Sequence, residues 1–181
     1  IILKNNISKG IMLRGYKIND FINLEIIKNE KFKGNTSLLK NSLSIGNELS
    51  FSLDLQIGDE ITLMSPSGIE TIIGSMPKQK TFTINSIFNS GLADFDNNIA
   101  FINLNTLEEF FGYEIKERNI EIYLKKPNNI SSQKQIVQKI FNDKFVYSWA
   151  DTNSSLFSAL KVERNVMFII LSLIIVVAAF N

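Results

Sequence analysis

The sequence feature that most constrains this chain is an uncharged apolar run from Val166 to Phe180, which only Ser172 interrupts. A helix of this length rises about 22 Å, whereas the hydrocarbon core of a bilayer is about 30 Å thick. The run is apolar on every side of such a helix, and the last charged residue before it is Arg164. The pattern favours the start of a transmembrane helix over a helix buried in a large core. The sequence lacks an initiator Met, and we expect it to be a piece of a longer polypeptide.

Composition excludes several classes of active site. The chain contains no Cys and no His, which excludes thiolate chemistry, Cys/His zinc sites and His acid–base catalysis. It has 19 basic and 18 acidic residues and no Lys/Arg cluster, so nucleic acid is not an expected partner. It also lacks a Walker-type phosphate loop and does not itself hydrolyse ATP. We therefore expect a protein that is not an enzyme and needs no cofactor.

The predicted elements mix strands and helices. Residues 42–90 are rich in strand patterns, and Gly58-Asp59 predicts a tight turn into a strand that begins at Glu60. Residues 91–150 predict three strands, in "NNIAFINL", "NIEIYL" and "KFVYSW", which alternate with two helices. Asn105 is the predicted N-cap of the first of these helices, with Glu108 three residues on to return the bond, and Gly112 is its predicted C-terminal cap. The fold class predicted from this order is α+β.

The residues from Asp94 to Asn105 match a calcium-binding loop only in part. Asp94, Asp96 and Asn98 have the spacing of the first three oxygen ligands of such a loop. However, Ile99 occupies the position of the sharp Gly turn, and Asn105 that of the bidentate Glu. We predict a polar turn here, and no metal site.

The segment from Pro66 to Lys80 differs in kind from the strands around it. It contains two of the three prolines of the chain, Pro66 and Pro77, and the apolar residues between them are expected to be exposed. Prolines stiffen a loop and lower the entropy lost when it docks on a partner. An ordinary hairpin connection is the other interpretation, although long hairpin loops without a role are uncommon.

The segment from Thr152 to Asn165 leads into the apolar run without Gly or Pro. A continuous helix here would carry domain motion directly into the bilayer, whereas the alternative is a simple stem. By the positive-inside rule, Lys161 and Arg164 weakly suggest that this end faces the cytoplasm, but Glu163 lies between them.

Several stretches closely resemble the membrane subunits of the bacterial lipoprotein-releasing ABC transporter, the Lol C/E type. They include "GIMLRG", "LSIGNELSFSLDLQIGDEITLMSP", "MPKQKTFTINSIFNSGLADFDNNIAFINL" and "LFSALKVERNVMFIILSLIIVVAAFN". The resemblance implies a fragment of a permease subunit with a MacB-like periplasmic domain: a mixed α/β portion with a small β-rich lobe, followed by the start of a transmembrane helix. It implies the bacterial inner membrane as location, with this fragment mainly periplasmic. That placement puts Lys161 and Arg164 on the periplasmic side, against the charge rule.

The resemblance also implies partners and a division of labour. A separate cytoplasmic ATPase subunit hydrolyses ATP, and a second C/E-type membrane subunit completes a homo- or heterodimer. Lipoprotein cargo leaves the membrane lipid and passes to a periplasmic carrier chaperone, driven by mechanical coupling. MacB-like efflux and FtsX-like regulation of cell-wall hydrolases are the alternative functions of related periplasmic domains.

Two sets of site residues follow from the resemblance. The first is a protruding hairpin that binds the chaperone. Its predicted residues are Pro66, Ile69, Ile72, Ile73, Gly74, Met76, Pro77 and Lys78. The second is the upper part of the transmembrane helix, where Val166, Met167 and Ile170 would contact the lipoprotein.

The predicted elements and the resemblance together divide the chain into five segments. They are 1–41, an incomplete first part of the α/β portion; 42–90, the β-rich lobe with its hairpin; 91–150, a βαβαβ-like portion; 151–165, the connector; and 166–181, the start of the transmembrane helix.

Overall fold

The computed structural model describes residues 1–4, 7–71, 74–125 and 130–181. The chain divides into two compact units, which we call unit 1 (Ile1–Asn119) and unit 2 (Ile120–Asn181). Unit 1 is a mixed α/β domain and unit 2 is helical, and the chain ends in one long apolar helix. The predicted α+β class is thereby confirmed.

Unit 1 is built around one eight-stranded sheet with the order β2-β1-β6-β7-β5-β8-β3, in which β4 pairs with β7. Its strands are β1 (Ile2–Lys4), β2 (Ile7–Lys9), β3 (Met12–Tyr16), β4 (Lys33–Gly34), β5 (Ser42–Gly46), β6 (Glu60–Thr71), β7 (Gly74–Phe88) and β8 (Ile99–Asn103). The pairs β3–β8 and β5–β7 are parallel, whereas the others are antiparallel. The sheet thus unites strands from the first three sequence segments.

The helices of unit 1 are short and follow the strands closely. They are α1 (Ile18–Ile22), α2 (Glu25–Lys28), α3 (Asn47–Ser52), α4 (Ala93–Asn98) and α5 (Leu104–Phe111), followed by a 3₁₀ turn at Ile115–Glu117. Helix α4 occupies the position of the predicted polar turn, so that prediction was wrong. Asp96 is buried there, and its carboxylate accepts hydrogen bonds from the backbone N–H of Ser90 at 3.0 and 3.1 Å. This contact ties the loop before α4 to the helix.

Strand β5 is buried over its whole length and separates two apolar clusters. One cluster contains Leu43, Ile45 and Ile84, and the other contains Phe88 and Phe101. A strand buried on both faces needs apolar or small residues at every position, and "SLSIG" meets that need. Its polar groups are paired, since the Ser86 hydroxyl bonds the Ser44 hydroxyl at 2.8 Å inside the core.

The cap of α5 lies two residues before the predicted position. The side chain of Asn103, the last residue of β8, accepts hydrogen bonds from the backbone N–H groups of Asn105 and Thr106. Its amide also donates to the carbonyl of Leu38 at 3.1 Å. Gly112 ends the helix with φ of 75°, as predicted, because this left-handed conformation costs glycine little.

Unit 2 contains α6 (Ile130–Ile140), α7 (Trp149–Thr152) and α8 (Ser154–Phe180). Ser148 and Asp151 form a capping box at the start of α7, and Lys134 of α6 pairs with Asp151 at 2.8 Å. The Trp149 ring packs edge-on against Phe157 of α8, with 4.9 Å between ring centroids. These contacts connect its three helices.

The strands predicted in "NIEIYL" and "KFVYSW" are not formed, and the described part of unit 2 contains no strand. Ile120, Ile122 and Phe145 remain exposed. A strand needs a neighbour to pair its backbone N–H and C=O groups, and an alternating pattern alone does not supply one. The βαβαβ order predicted for residues 91–150 is therefore present only in its first strand and helices.

Candidate functional site: a two-stranded arm and a long apolar helix

The predicted hairpin forms a two-stranded arm, which we define as residues 65–71 of β6 and 74–79 of β7. Beyond Met64, where β6 leaves β1, the described arm residues pair only across the hairpin, from Gly68 with Pro77 to Thr71 with Gly74. The seven residues of one side span roughly 23 Å at about 3.3 Å each. The arm therefore extends well past the strands that bury the core, and both of its outer edges lack a neighbouring strand among the described residues.

The register shifts between Met64 and Gly68, at the point where the arm leaves the sheet. Such irregularities bend a strand and increase its local twist. Pro66 lies within this shift, where a residue without an N–H group causes no loss of a ladder hydrogen bond.

The foot of the arm is fixed to α5. The Lys78 ammonium donates a hydrogen bond to the backbone carbonyl of Glu109 at 2.7 Å. A cation at the C-terminal turn of a helix is favoured by the helix dipole and satisfies a carbonyl that lacks a helical partner. The Glu109 carboxylate in turn pairs with Lys40 at 3.3 Å.

The charges around this foot favour an ionised Glu109. A hydrogen bond from Lys40 and its positive charge, followed by the charges of Lys80 and Lys78, lower the pKa of the Glu109 carboxyl. The three lysines and the one carboxylate form a small charged cluster between the arm and α5. Since Lys40 and Glu109 are exposed to solvent, their ion pair contributes little to stability.

The structure brings some of the predicted hairpin residues together and leaves others outside its description. Met76 and Pro77 are exposed, with 57% of Met76 accessible, and Gly74 has φ of 122°. Lys78 bonds α5 and so belongs to the foot of the arm. The side chains of Pro66 and Ile69, and both Ile72 and Ile73, lie outside what is described.

The second predicted set lies on α8, a helix of 27 residues with a mean hydropathy of 2.1 over its most apolar window. At about 1.5 Å per residue it extends roughly 40 Å. Val166, Met167 and Ile170 are 48%, 53% and 46% exposed, and no residue of this window is buried. An uncovered helix with this composition is suited to lipid and not to water.

Helix α8 also contains most of the predicted connector. The residues from Ser154 to Arg164 and the apolar run belong to one uninterrupted helix. The Ser172 hydroxyl donates to the carbonyl of Phe168 at 2.8 Å, so its polar group is satisfied within the helix. Thr152 ends α7 and Asn153 separates the two helices, so the connector is continuous with the apolar run only from Ser154 onward.

Sequence reasoning predicted none of the ion pairs, and two of them join segments that are not adjacent in the sequence. Arg118, next to the end of unit 1, makes a bidentate contact with Glu108 of α5, through Nε at 2.5 Å and Nη2 at 2.9 Å. The hydrogen bond from Arg118 lowers the pKa of Glu108, since it stabilises the carboxylate. Glu108 was predicted to return a cap bond and instead holds the segment after α5. The Lys134–Asp151 pair was also missed, because the sequence separation of 17 residues gave no local signal.

Among the described residues, each unit has a shallow cleft. The larger, about 440 Å³, lies between α6 and α7 and contains the Lys134–Asp151 pair, whose charges neutralise each other. The other, about 390 Å³, lies between α3 and α4 beside the exposed Phe51. Across the described ranges, no group of acidic residues is arranged to hold a metal ion. In the larger cleft, the Ser148 hydroxyl donates to the Asp151 carboxylate at 2.6 Å, a contact that belongs to the capping box of α7.

Comparison with known proteins identifies curated relatives of this chain. A curated protein of Neisseria meningitidis, the "Lipoprotein-releasing system transmembrane protein LolC", is 30% identical over 125 residues, which are 68% of this chain and 30% of the relative. Proteins of the same name from two strains of Xylella fastidiosa are 26% identical over 129 residues, with the same coverage. No family model matches the chain. The match thus spans about a third of the length of these relatives.

Proposed function

We propose, from the premise that this chain is homologous to the Lol C/E-type transmembrane proteins, that it is part of the permease subunit of an ABC transporter that releases lipoproteins. The observation that carries the proposal is the 30% identity to LolC over 125 residues. A transmembrane protein also requires a membrane span, and α8 has the length and hydropathy of one.

The division of labour in this proposal follows from what the chain contains. It has no Walker-type phosphate loop, so ATP hydrolysis belongs to a separate cytoplasmic subunit. This chain contributes binding and movement to the transporter. The arm provides an edge for a binding partner, and α8 enters the inner membrane. A second C/E-type subunit and the lipoprotein cargo complete the assembly, and unit 1 lies on the periplasmic side.

The arm is proposed to hold the periplasmic carrier chaperone. Three features support this role: outer edges beside which no other described strand lies, a foot fixed at Lys78, and the exposed Met76 near the end of the arm. A stiff arm loses little conformational entropy on binding, because its two strands already fix the backbone. Apolar contact from Met76 would supply binding energy, since methionine adapts its shape to a partner surface.

Helix α8 is proposed to couple the membrane to the periplasmic side. Its upper residues Val166, Met167 and Ile170 would contact the lipoprotein in the membrane. Because residues 154–180 form one helix, a displacement of the span moves the connector with it. This continuity supports mechanical coupling, because a Gly-rich tether in the same place would absorb the displacement.

The test uses the full-length subunit in its assembled complex. Met76→Glu places a charge on the exposed part of the arm, and we expect at least a tenfold loss of the carrier chaperone in a pull-down, with ATPase activity unchanged. Phe51→Glu is the matched control, because Phe51 is 75% exposed on α3, away from the arm, and should leave the pull-down intact. Deletion of residues 69–76 is the stronger variant.

If the chaperone is captured normally after that deletion, the role proposed for the arm is wrong. If acylated lipoproteins do not copurify with the intact complex, the transport function itself is wrong. Copurification of cell-wall hydrolase activators, or docking of a trimeric periplasmic adaptor, would then favour the FtsX-like or MacB-like alternative.

A further inference from the structure

Helix α8 carries two cations on one face immediately before its apolar run. Lys161 and Arg164 are three residues apart, which places them about 60° from each other around the helix. Glu163 is about 200° from Lys161 and so faces the other side. Both cations are exposed, and neither takes part in an ion pair with any described residue. Two unneutralised charges therefore point the same way.

Their height along the helix matches a lipid headgroup layer. Arg164 and Lys161 precede Val166 by two and five residues, or about 3 Å and 7.5 Å of helix rise. A bilayer of about 40–45 Å with a hydrocarbon core of about 30 Å has a polar layer of about 5–7 Å on each side. If the hydrocarbon begins at Val166, both cations lie at the level of the phosphates.

Aromatic side chains flank the two cations on the same face. Phe157 lies four residues before Lys161, and Phe168 lies four residues after Arg164 and is 71% exposed. Trp149, itself 54% exposed, packs against Phe157. Amphipathic aromatic rings prefer the boundary between water and hydrocarbon, and Phe prefers the hydrocarbon itself. The face thus passes from a Trp–Phe pair through two cations to an apolar ring.

We propose that this face, defined by Lys161, Arg164 and Phe168, binds the phosphate group of an anionic phospholipid, with an acyl chain of the lipid along Phe168. Arg presents a planar fork to phosphate oxygens, and Lys adds a mobile point charge. The inference rests on the proposed function only in that α8 must enter a membrane. It does not depend on lipoprotein release, on the chaperone or on the sidedness of the span.

The charge of the headgroup distinguishes an anionic phospholipid from a zwitterionic one at this site. A zwitterionic lipid carries a cation of its own, which offsets its attraction to Lys161 and Arg164. An anionic lipid has no such offset. Each Lys or Arg near an anionic membrane surface strengthens binding to that surface about fivefold. The preference should weaken as salt rises, because the charges at the membrane surface are screened over about 8 Å at physiological ionic strength.

The experiment measures which lipids surround the inserted protein. The full chain is reconstituted into phosphatidylcholine vesicles that contain a trace of spin-labelled phosphatidylglycerol or spin-labelled phosphatidylcholine, and the motionally restricted fraction of each label is compared. We expect the restricted fraction to favour phosphatidylglycerol severalfold for the natural chain. The double variant K161Q/R164Q should reduce this ratio to about one, and K161R/R164K should keep it.

Matched controls separate a local site from net charge. K28Q/K31Q removes two exposed lysines at the same spacing from unit 1 and should leave the ratio unchanged. E163Q removes the charge on the other face and should leave it unchanged or raise it. A ratio near one for the natural chain, or an equal loss in K28Q/K31Q, would overturn the proposal.

Resistance of the reconstituted chain to alkaline extraction shows separately whether α8 is inserted. Insertion without a preference for phosphatidylglycerol contradicts the lipid site and leaves the proposed permease role standing. Failure to insert contradicts both. Retention of the preference by K161Q/R164Q would place any anionic-lipid contact elsewhere and so would also overturn the assignment.

Discussion

The two units of the chain bury their residues very differently. Unit 1 contains all the buried side chains of the described chain, among them Phe101, which is 1% exposed and contacts four other aromatic rings. In the described part of unit 2 no side chain is buried, and its contacts are ion pairs, caps and ring edges. Unit 1 therefore supplies its own core, whereas unit 2 depends on charges, hydrogen bonds and the medium around α8.

This difference has a physical basis in the two sequences. Strand β8 places apolar residues on both faces of the sheet, β5 adds Leu43 and Ile45 to one of them, and helices cover those faces. Burial of apolar surface provides most of the favourable free energy of folding. The apolar residues of unit 2 lie instead on the outside of α6 and α8, where they are available to lipid or to other chains. The core of unit 1 is therefore structural, whereas the apolar side chains of unit 2 are available for contacts.

The largest effect that tests this comparison comes from Phe101→Ala. Removal of this buried ring should lower the free energy of unfolding of unit 1 by about 3–5 kcal/mol, because it leaves a cavity among packed aromatic rings. Hydrogen exchange of the slowest β5 and β8 amides in detergent would measure the loss. The control Phe145→Ala removes a ring that is 90% exposed, and should change stability by less than about 0.5 kcal/mol. Similar losses of stability in both variants would contradict the difference in burial between the two units.

A smaller effect is expected at the cap of α5. Asn103→Ala removes the acceptor for two backbone N–H groups and the donor to Leu38, and should cost unit 1 about 1–2 kcal/mol. Asn105→Ala is the matched control, since that side chain is exposed and caps nothing. Urea unfolding followed by circular dichroism gives both values. A greater loss from Asn105→Ala would restore the cap predicted from the sequence.

The smallest effect concerns the charges of unit 2. Hydrogen bonds from Lys134 and then from Ser148 hold the pKa of Asp151 well below its usual value. The contribution to stability is therefore present above the unfolded pKa of about 3.9, and is lost as the pH falls towards the folded pKa. Trp149, the single tryptophan, lies on the same short helix, so its fluorescence should change as the pH is lowered through this range.

Asp151→Asn should remove that change in fluorescence. Asp143→Asn, which removes a carboxylate paired only with the neighbouring Lys144, should leave it in place. A transition that persists in Asp151→Asn would mean that another group controls the order of α7.

Much of unit 1 could be predicted from the sequence because its signals are local. The Gly58-Asp59 turn sets the start of β6 at Glu60, and Asp59 accepts a bond from the backbone of Gln56, as its position predicts. Phe82 and Ile84, two residues apart in β7, both pack in the cluster of Leu43 and Ile45, as the alternation of side chains along a strand predicts. In each case, a few adjacent residues contain the information needed.

The failures occurred where a choice depends on distant residues. Asn103 and Asn105 both suit an N-cap, and the end of β8 together with the Leu38 carbonyl selects Asn103. The pattern "NIEIYL" alternates as a strand does, but the described part of unit 2 provides no strand to pair with it. The arm was located by its prolines and glycines, whereas its foot at Lys78 depends on Glu109, 31 residues away. The roles of the arm and of the upper α8 remain predictions.

One consequence of the unbroken α8 concerns angular phase. In a single helix, each residue adds about 100° of rotation and about 1.5 Å of rise. The direction in which Lys161 points is therefore locked to the direction in which Met167 and Ile170 point. One residue inserted at Asn165 would turn the two ends against each other by more than a quarter circle, although every side chain would still be present.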